Sequence, residues 1–129
     1  MIILDTHVLL WLVSEQTKLT EKVKRIIQTN VGNLYVSSIT AFVIAVKYKK
    51  EKLSLPFSPD KWFNKALILH GIDEITINSK ILMTAASLPS IHNDPADRII
   101  IASAMINNAK IISKDRQLLQ YPDITVIWD

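Results

Sequence analysis

Apolar positions along this chain alternate between two spacings from one end to the other. Short uninterrupted runs, as a strand buried on both faces requires, occur at Ile2-Ile3-Leu4 and Leu34-Tyr35-Val36, and across residues 74–77, 110–113 and 124–127. Between them, apolar residues recur every three or four positions, the period of a helix with one buried face. Val8, Leu9, Leu10 and Leu12 follow Thr6, and Val23, Ile26 and Ile27 follow Thr20. Ile39, Val43 and Val46 follow Ser37-Ser38 in a stretch running to about residue 50, and Trp62, Ala66 and Leu69 follow Ser58-Pro59-Asp60. Further helices are expected from Asn78 toward Leu88 and from Asp94-Pro95 to near Asn108.

The punctuation agrees with the period. Thr6, Thr20, Ser37 or Ser38, and Asn78 stand where an N-cap oxygen is needed, and Pro59 and Pro95 take first helical positions. Gly71 is a natural helix stop. Alternating strands and helices predict a three-layer α/β fold, a central, mostly parallel sheet of about five strands flanked by helices.

Composition narrows this picture. A chain of 129 residues fits one domain, residues 1–129, and 49% hydrophobic against 21% charged residues gives it a core and excludes disorder. There is no cysteine, which excludes disulfides and thiolate metal sites and is compatible with a reducing cytoplasm. Asp5 interrupts the apolar start, and no apolar run approaches bilayer length, so a soluble, cytoplasmic protein without a membrane partner is expected. A net charge of +3 is compatible with a polyanionic partner without pointing to one. No Gly-rich phosphate loop or nucleophile elbow is present.

The acidic residues carry more information. Asp5 directly follows the first apolar run, Asp115 lies just beyond the 110–113 run, and Asp97 falls in the first turn of the helix opened by Asp94-Pro95. Ligands of open parallel sheets bind outside the carboxyl ends of the strands, near the point where strand order reverses. If the first and fourth strands are neighbours, Asp5 and Asp115 emerge at one edge, and a helix start can bring Asp97 to them. Clustered carboxylates call for a neutralising cation, and hard oxygen ligands suit Mg²⁺ or Mn²⁺. The matching chemistry is metal-assisted phosphodiester hydrolysis. Each acid also has an ordinary use. Asp94 is first of all a helix cap, with Asp97 completing a capping-box-like pattern, and Asp115 can open a turn. Asp5, ending a buried strand, has few such uses.

Together these segments resemble the PIN-domain superfamily, and within it the VapC toxins of bacterial type II toxin–antitoxin pairs. The resemblance rests on Ile3-Leu4-Asp5-Thr6-His7-Val8-Leu9-Leu10-Trp11, on His92-Asn93-Asp94-Pro95-Ala96-Asp97-Arg98, and on Ile112-Ser113-Lys114-Asp115. The stretch from Ser38 to Pro56 lies between them in the right order. The resemblance implies a PIN-like fold, Mg²⁺-dependent endoribonuclease activity, an RNA substrate and inhibition by a cognate VapB-type antitoxin. It also implies a homodimer and a larger toxin–antitoxin assembly. By motif, Asp5, Asp97 and Asp115 are the metal-site acids, with Asp94, Thr6 and Ser113 as auxiliary residues.

One position departs from the pattern. Where similar toxins read Trp-Glu-Ile-Ala, this chain reads Phe42-Val43-Ile44-Ala45, so the family's second acid is replaced by Val43. No neighbour substitutes for it, since Glu51 stands two turns further along. Val43 is either ordinary core on the Ile39–Val46 face or an altered site position in a natural or engineered disabled nuclease. A catalytically inactive RNA- or antitoxin-binding protein is therefore the alternative. A dehalogenase-like phosphatase or a receiver domain ranks third, because position 7 is His where a second acid is needed. His7, His70 and His92 lack metal-ligand spacing; core or surface roles are expected first, with an approach of His7 and His92 to the acidic site as the alternative. Lys47, Lys49, Lys50 and Lys52 are a basic run suited to an RNA backbone or to a helix end. Trp11, Trp62 and Trp128 are expected in core or interface, and Phe42 at a dimer or antitoxin contact.

Overall fold

The computed structural model describes residues 1–129, and every expected strand and helix is present. Five parallel strands are ordered β3-β2-β1-β4-β5: β1 (Ile2–Leu4), β2 (Leu34–Ser37), β3 (Ile72–Ile75), β4 (Lys110–Ile112) and β5 (Val126–Ile127). The helices are α1 (Thr6–Ser14), α2 (Glu21–Thr29), α3 (Ser38–Lys49), α4 (Pro59–His70), α5 (Ser79–Ser87) and α6 (Pro95–Asn107). Two single 3₁₀ segments cover Gln16–Lys18 and Arg116–Gln120. No helix is long and apolar enough to cross a membrane.

The strand order follows from burial. Ile3, Leu4, Ile111 and Ile112 are wholly inaccessible, as central strands covered on both faces must be. In register, Ile3 pairs with Ile111 and Leu4 with Ile112. One apolar cluster gathers Leu4, Val8, Leu9, Val23 and Ile44 on one side of the sheet. A second packs Ile3, Ile100, Ile101 and Ile111 under α6. The chain first builds outward from β1 through β2 to β3, then crosses back to lay β4 against the other side of β1. That reversal puts the switch point between β1 and β4.

Local chemistry accounts for the ends. Ser37, Asn78 and Asp94 cap α3, α5 and α6 by accepting the amides of Ile39, Ile81 and Ala96. Gly71 ends α4 in the left-handed region at φ 62°, a conformation that a side chain would disfavour. Three expectations need correction. The cap of α1 is Asp5, not Thr6, because the carboxylate takes the Thr6 amide. The third strand begins directly after Gly71 and covers Ile72–Ile75, not 74–77, because it is the edge strand registered against β2 from Leu34↔Ile72 to Ser37↔Ile75. Glu51 is not helical: α3 stops at Lys49 and Glu51 sits in the following turn with φ 58°.

Candidate functional site

Adjacent β1 and β4 bring Asp5 and the Ser113–Asp115 turn together at the carboxyl edge of the sheet. Asp5 is only 8% exposed, and the backbone explains its position: its own amide donates to the Ile112 carbonyl at 3.0 Å, continuing the sheet. Its two oxygens are both engaged. Oδ1 accepts the Thr6 amide at 2.9 Å, and Oδ2 accepts the Ser113 hydroxyl at 2.6 Å. Buried carboxylates are tolerated when they gather donors in this way.

Ser113 links two of the acids. While donating to Asp5, its hydroxyl oxygen accepts the Asp115 amide at 3.0 Å. Asp115 caps the 3₁₀ turn by accepting the Gln117 amide at 2.9 Å. Its other oxygen meets His92 Nε2 at 2.7 Å. Because the carboxylate only accepts, that ring nitrogen carries the proton, and Nδ1 of a neutral ring then accepts from the Tyr121 hydroxyl at 2.9 Å. Tyr121 also stacks on the ring, with centroids 5.5 Å apart. His92 is 5% exposed, so this buried pair fixes how Asp115 stands.

His7 joins the same wall from α1. Its Nε2 accepts the Lys114 amide at 3.1 Å, which leaves Nδ1 protonated and 3.5 Å from Asp5 Oδ2. Burial is the main cause that pushes the His7 pKa down, helped by Lys47 and Lys114 and opposed by Asp5 and Asp115. The contact with Asp5 is therefore made by a neutral ring rather than by an ion pair.

The opposite wall is helical and differently made. Asp97, in the first turn of α6, accepts no hydrogen bond, so it does not close a capping box with Asp94. Its pKa is raised to about 6, first by burial and then by the charges of Asp5, Asp94 and Asp115, with His92 acting in the other direction. Asp94 is exposed and engaged as the helix cap. On α3, Val43 is half-buried yet belongs to none of the packed apolar clusters. The buried positions of α3 are Thr40 and Ile44. Val43 is thus not the ordinary core residue that a face of Ile39, Val43 and Val46 implied. One turn before it, the Thr40 hydroxyl meets that of Thr6 at 3.2 Å, and one turn after it Lys47 acts on His7. The spacing puts Val43 on the same helix face as both, directed to the start of α1.

Sequence reasoning named the acids and ranked core or surface roles for His7 and His92 above an approach to the site, whereas both contact the acids. It missed Thr40, Tyr121 and Arg98. Thr40 stands one turn before Val43 on the same face, a signal visible in the sequence. Tyr121 carries no such mark. Of the tryptophans, only Trp62 is core, while Trp11 and Trp128 are half-buried beside His7. His70 stands apart from the acids, its pKa lowered by burial alone.

Comparison with known proteins fits this arrangement. Ribonuclease VapC22 of Mycobacterium tuberculosis (strain ATCC 25618 / H37Rv) is 28% identical over 130 residues, covering 98% of each chain. Among solved structures, VapBC2 from Rickettsia felis, bound to a DNA fragment from its promoter, superposes with a TM-score of 0.72 over 100% of both chains at 17% identity. A toxin–antitoxin complex from Klebsiella pneumoniae gives a TM-score of 0.68 at 19% identity, over 98% of this chain and 96% of that one. These structural likenesses concern the fold. The model of the PIN domain matches residues 2–124, nearly the whole length over which the sheet and its acidic edge are built, and the chain belongs to the PIN-domain family.

Proposed function

We propose that this protein is a metal-dependent endoribonuclease of the VapC toxin type, impaired by Val43, with Asp5, Asp97 and Asp115 as the ligands of Mg²⁺ or Mn²⁺. The observation that carries this is the gathering of acids at the switch point: neighbouring β1 and β4 bring Asp5 and Asp115 together through the Ser113 hydroxyl. Asp97 lies near enough to feel their charges, which add to burial in raising its pKa to about 6. A divalent cation relieves such crowding, and when bound it supplies an activated water and shields phosphate charge. The donors suit it chemically, being carboxylate oxygens throughout. They do not form a ready-made shell, since no three acidic or histidine side chains are drawn together closely enough to hold an ion.

The roles of the chain's own residues follow from their partners. Ser113 and the Thr6 amide hold Asp5 in one orientation, and His92 does the same for Asp115. Asp94 caps α6 and adds negative potential as an auxiliary acid. Thr6 ties α1 to Thr40 of α3 and so sets the distance between the two walls. Val43 offers no oxygen to this set. The cytoplasm, an RNA substrate, a VapB-type antitoxin, a homodimer and a larger assembly belong to the same proposal. Its support is that the similar Rickettsia and Klebsiella structures are toxin–antitoxin proteins and that Phe42 of α3 is 65% exposed.

A second reading is a PIN protein that binds RNA or antitoxin without cleaving. Val43, which offers no oxygen where similar toxins carry an acid, favours it. One experiment separates the two: the parent, Val43→Glu and Asp5→Asn are compared on a broad RNA panel with Mg²⁺ and with EDTA. Metal-dependent cleavage by the Glu form and little by the parent is expected. A folded Glu form no better than Asp5→Asn would sink the nuclease proposal, and a parent as active as the Glu form would remove the role given to Val43.

A further inference from the structure

Next to the acids lies a cavity of about 490 Å³ that they only border. Ser113, Lys114 and Asp115 form one side of it, Arg116 and Leu119 come from the turn that Asp115 caps, and Trp128 follows β5. Its volume falls in the range of sites that hold small ligands, about 300–1,000 Å³. Leu119 is 68% exposed there, an apolar side chain with no packing role.

The aromatic side of the cavity is built up from behind. The rings of Trp128 and Trp11 lie 5.9 Å apart, and His7 is 4.8 Å from Trp11 and 6.5 Å from Trp128. Trp11 and Trp128 also pack on the core, so the platform is fixed rather than loose. Cations surround it: Lys18 Nζ is 5.6 Å and Lys114 Nζ 5.9 Å from the centre of the Trp11 ring. Against Lys18, Lys114 and Arg116 stand Asp115 and Asp129, which also borders the cavity. An aromatic platform with cations, continuous with an acidic hydrolytic edge, suits a ligand that has both a π-face and a phosphate.

We infer that this cavity is the nucleotide subsite beside the scissile bond. Trp128 stacks on one base of a single-stranded RNA, Lys114 and Arg116 hold its phosphate, and the next phosphate is delivered to the acids. This rests on the RNA substrate of the proposed function, and it assigns to Trp128 a role separate from the hydrolytic step. Stacking on an indole is tolerant of base identity, so the subsite fixes position along the strand more than sequence.

The test is binding of a 5′-fluorescein-labelled 2′-O-methyl hexanucleotide to the full chain in EDTA, followed by anisotropy, with a second set of probes carrying one abasic position each. Trp128→Leu should weaken binding roughly 5- to 150-fold, the span of one lost base–aromatic stack. Trp128→Phe should stay within about threefold of the parent, because the phenyl ring keeps a π-face. One abasic position should cost the parent a similar factor and cost Trp128→Leu almost nothing more, since both changes remove the same contact. Leu119→Glu, at a surface position that leaves the core intact, should weaken binding about tenfold by placing a carboxylate against phosphate. Folded Trp128→Leu and Leu119→Glu variants that bind within twofold of the parent would overturn the inference, as would equal abasic penalties in parent and Trp128→Leu. A Trp128 signal that responds to protein concentration and not to oligonucleotide would assign the surface to a second copy of the chain and overturn it as well. The two proposals fail separately: a Val43→Glu form that cleaves RNA while Trp128→Leu leaves KM and kcat unchanged defeats the subsite alone. Trp128-dependent binding without any cleavage defeats the nuclease alone.

Discussion

The two walls of the acidic site use the same residue type under opposite conditions. On the strand wall, Asp5 and Asp115 have both oxygens engaged, by Thr6, Ser113, His92 and Gln117. On the helical wall, Asp97 accepts no hydrogen bond, although the charges of Asp5 and Asp115 act on it, and Val43 contributes no polar atom. Donors supplied by strand ends and tight turns satisfy the oxygens of a carboxylate in a buried place. A helix start supplies only its dipole and its first amides, and here Asp94 has already taken the Ala96 amide. The oxygens of the strand wall are therefore satisfied by the fold itself, whereas the repulsion at Asp97 on the helical wall is relieved only by a proton or a bound cation.

Val43→Glu strikes at this difference with the largest expected effect. It restores an oxygen donor to the poor wall and should raise Mg²⁺-dependent RNA cleavage by about a hundredfold or more, the scale associated with a missing site group. In EDTA the same variant should melt earlier than the parent, because one more carboxylate joins Asp97 without a counter-charge. Added Mg²⁺ should then raise its melting temperature more than the parent's. Equal Mg²⁺ responses in thermal melts would show that position 43 does not face the acids.

Arg98→Ala tests the brace between the walls. From α6 the guanidinium donates to the carbonyls of Ala85, Ala86, Leu88, Pro89 and His92, at 2.8 to 3.3 Å. It thereby ends α5 and holds the loop from which His92 reaches Asp115. Losing these bonds leaves part-buried carbonyls unpaired, and a cost of about 2–3 kcal/mol is expected in urea unfolding. A loss within about 0.5 kcal/mol, the range of an ordinary surface substitution, would show the brace to be incidental.

The same contrast explains what could be read from the sequence. The strand wall was legible because period and position coincide: an acid directly after a buried apolar run has one place to go once β1 and β4 are neighbours. The helix starts were legible because Ser37, Asn78 and Asp94 act through local backbone amides. His92 and Tyr121 were not, because their pairing spans 29 residues and depends on how a loop and a 3₁₀ turn meet. Nor was the side of α3 on which Val43 lies. A helix whose apolar residues run nearly all round has no period sharp enough to tell a core-facing valine from a site-facing one. The Thr40–Thr6 contact and the influence of Lys47 on His7 are what place this face of α3 toward the start of α1.

Ser113→Ala is the smaller cut into the strand wall. It removes the donor to Asp5 Oδ2 and the acceptor of the Asp115 amide together. The first of these bonds is buried and the second part-buried, and about 1–2 kcal/mol of stability should be lost. Ser113→Thr, which keeps the hydroxyl, should recover part of it. If alanine and threonine variants unfold at the same urea concentration as the parent, the hydroxyl is not what holds the two acids.

The smallest effect has the opposite sign and belongs to the helical wall. Because the folded chain holds the Asp97 pKa near 6, above the ordinary 3.8, the folded state binds more protons than the unfolded one between those values. Stability from this group therefore falls as pH rises from about 4 to about 6, and the deficit persists above that. The full shift would amount to roughly 3 kcal/mol, but Asp97 is half-exposed and solvent screening reduces the expected deficit to about 1 kcal/mol. Asp97→Asn carries no charge, so in EDTA it should be more stable than the parent by about 1 kcal/mol at pH 7.5 and equal to it at pH 4. Mg²⁺ should narrow the gap at pH 7.5 by stabilising only the chain that keeps the acid. Urea unfolding at pH 4, 5.5 and 7.5 measures all of this. A gap that is the same at every pH would mean that asparagine acts through packing, and a less stable asparagine variant at pH 7.5 would mean that Asp97 has a donor and that the two walls are alike.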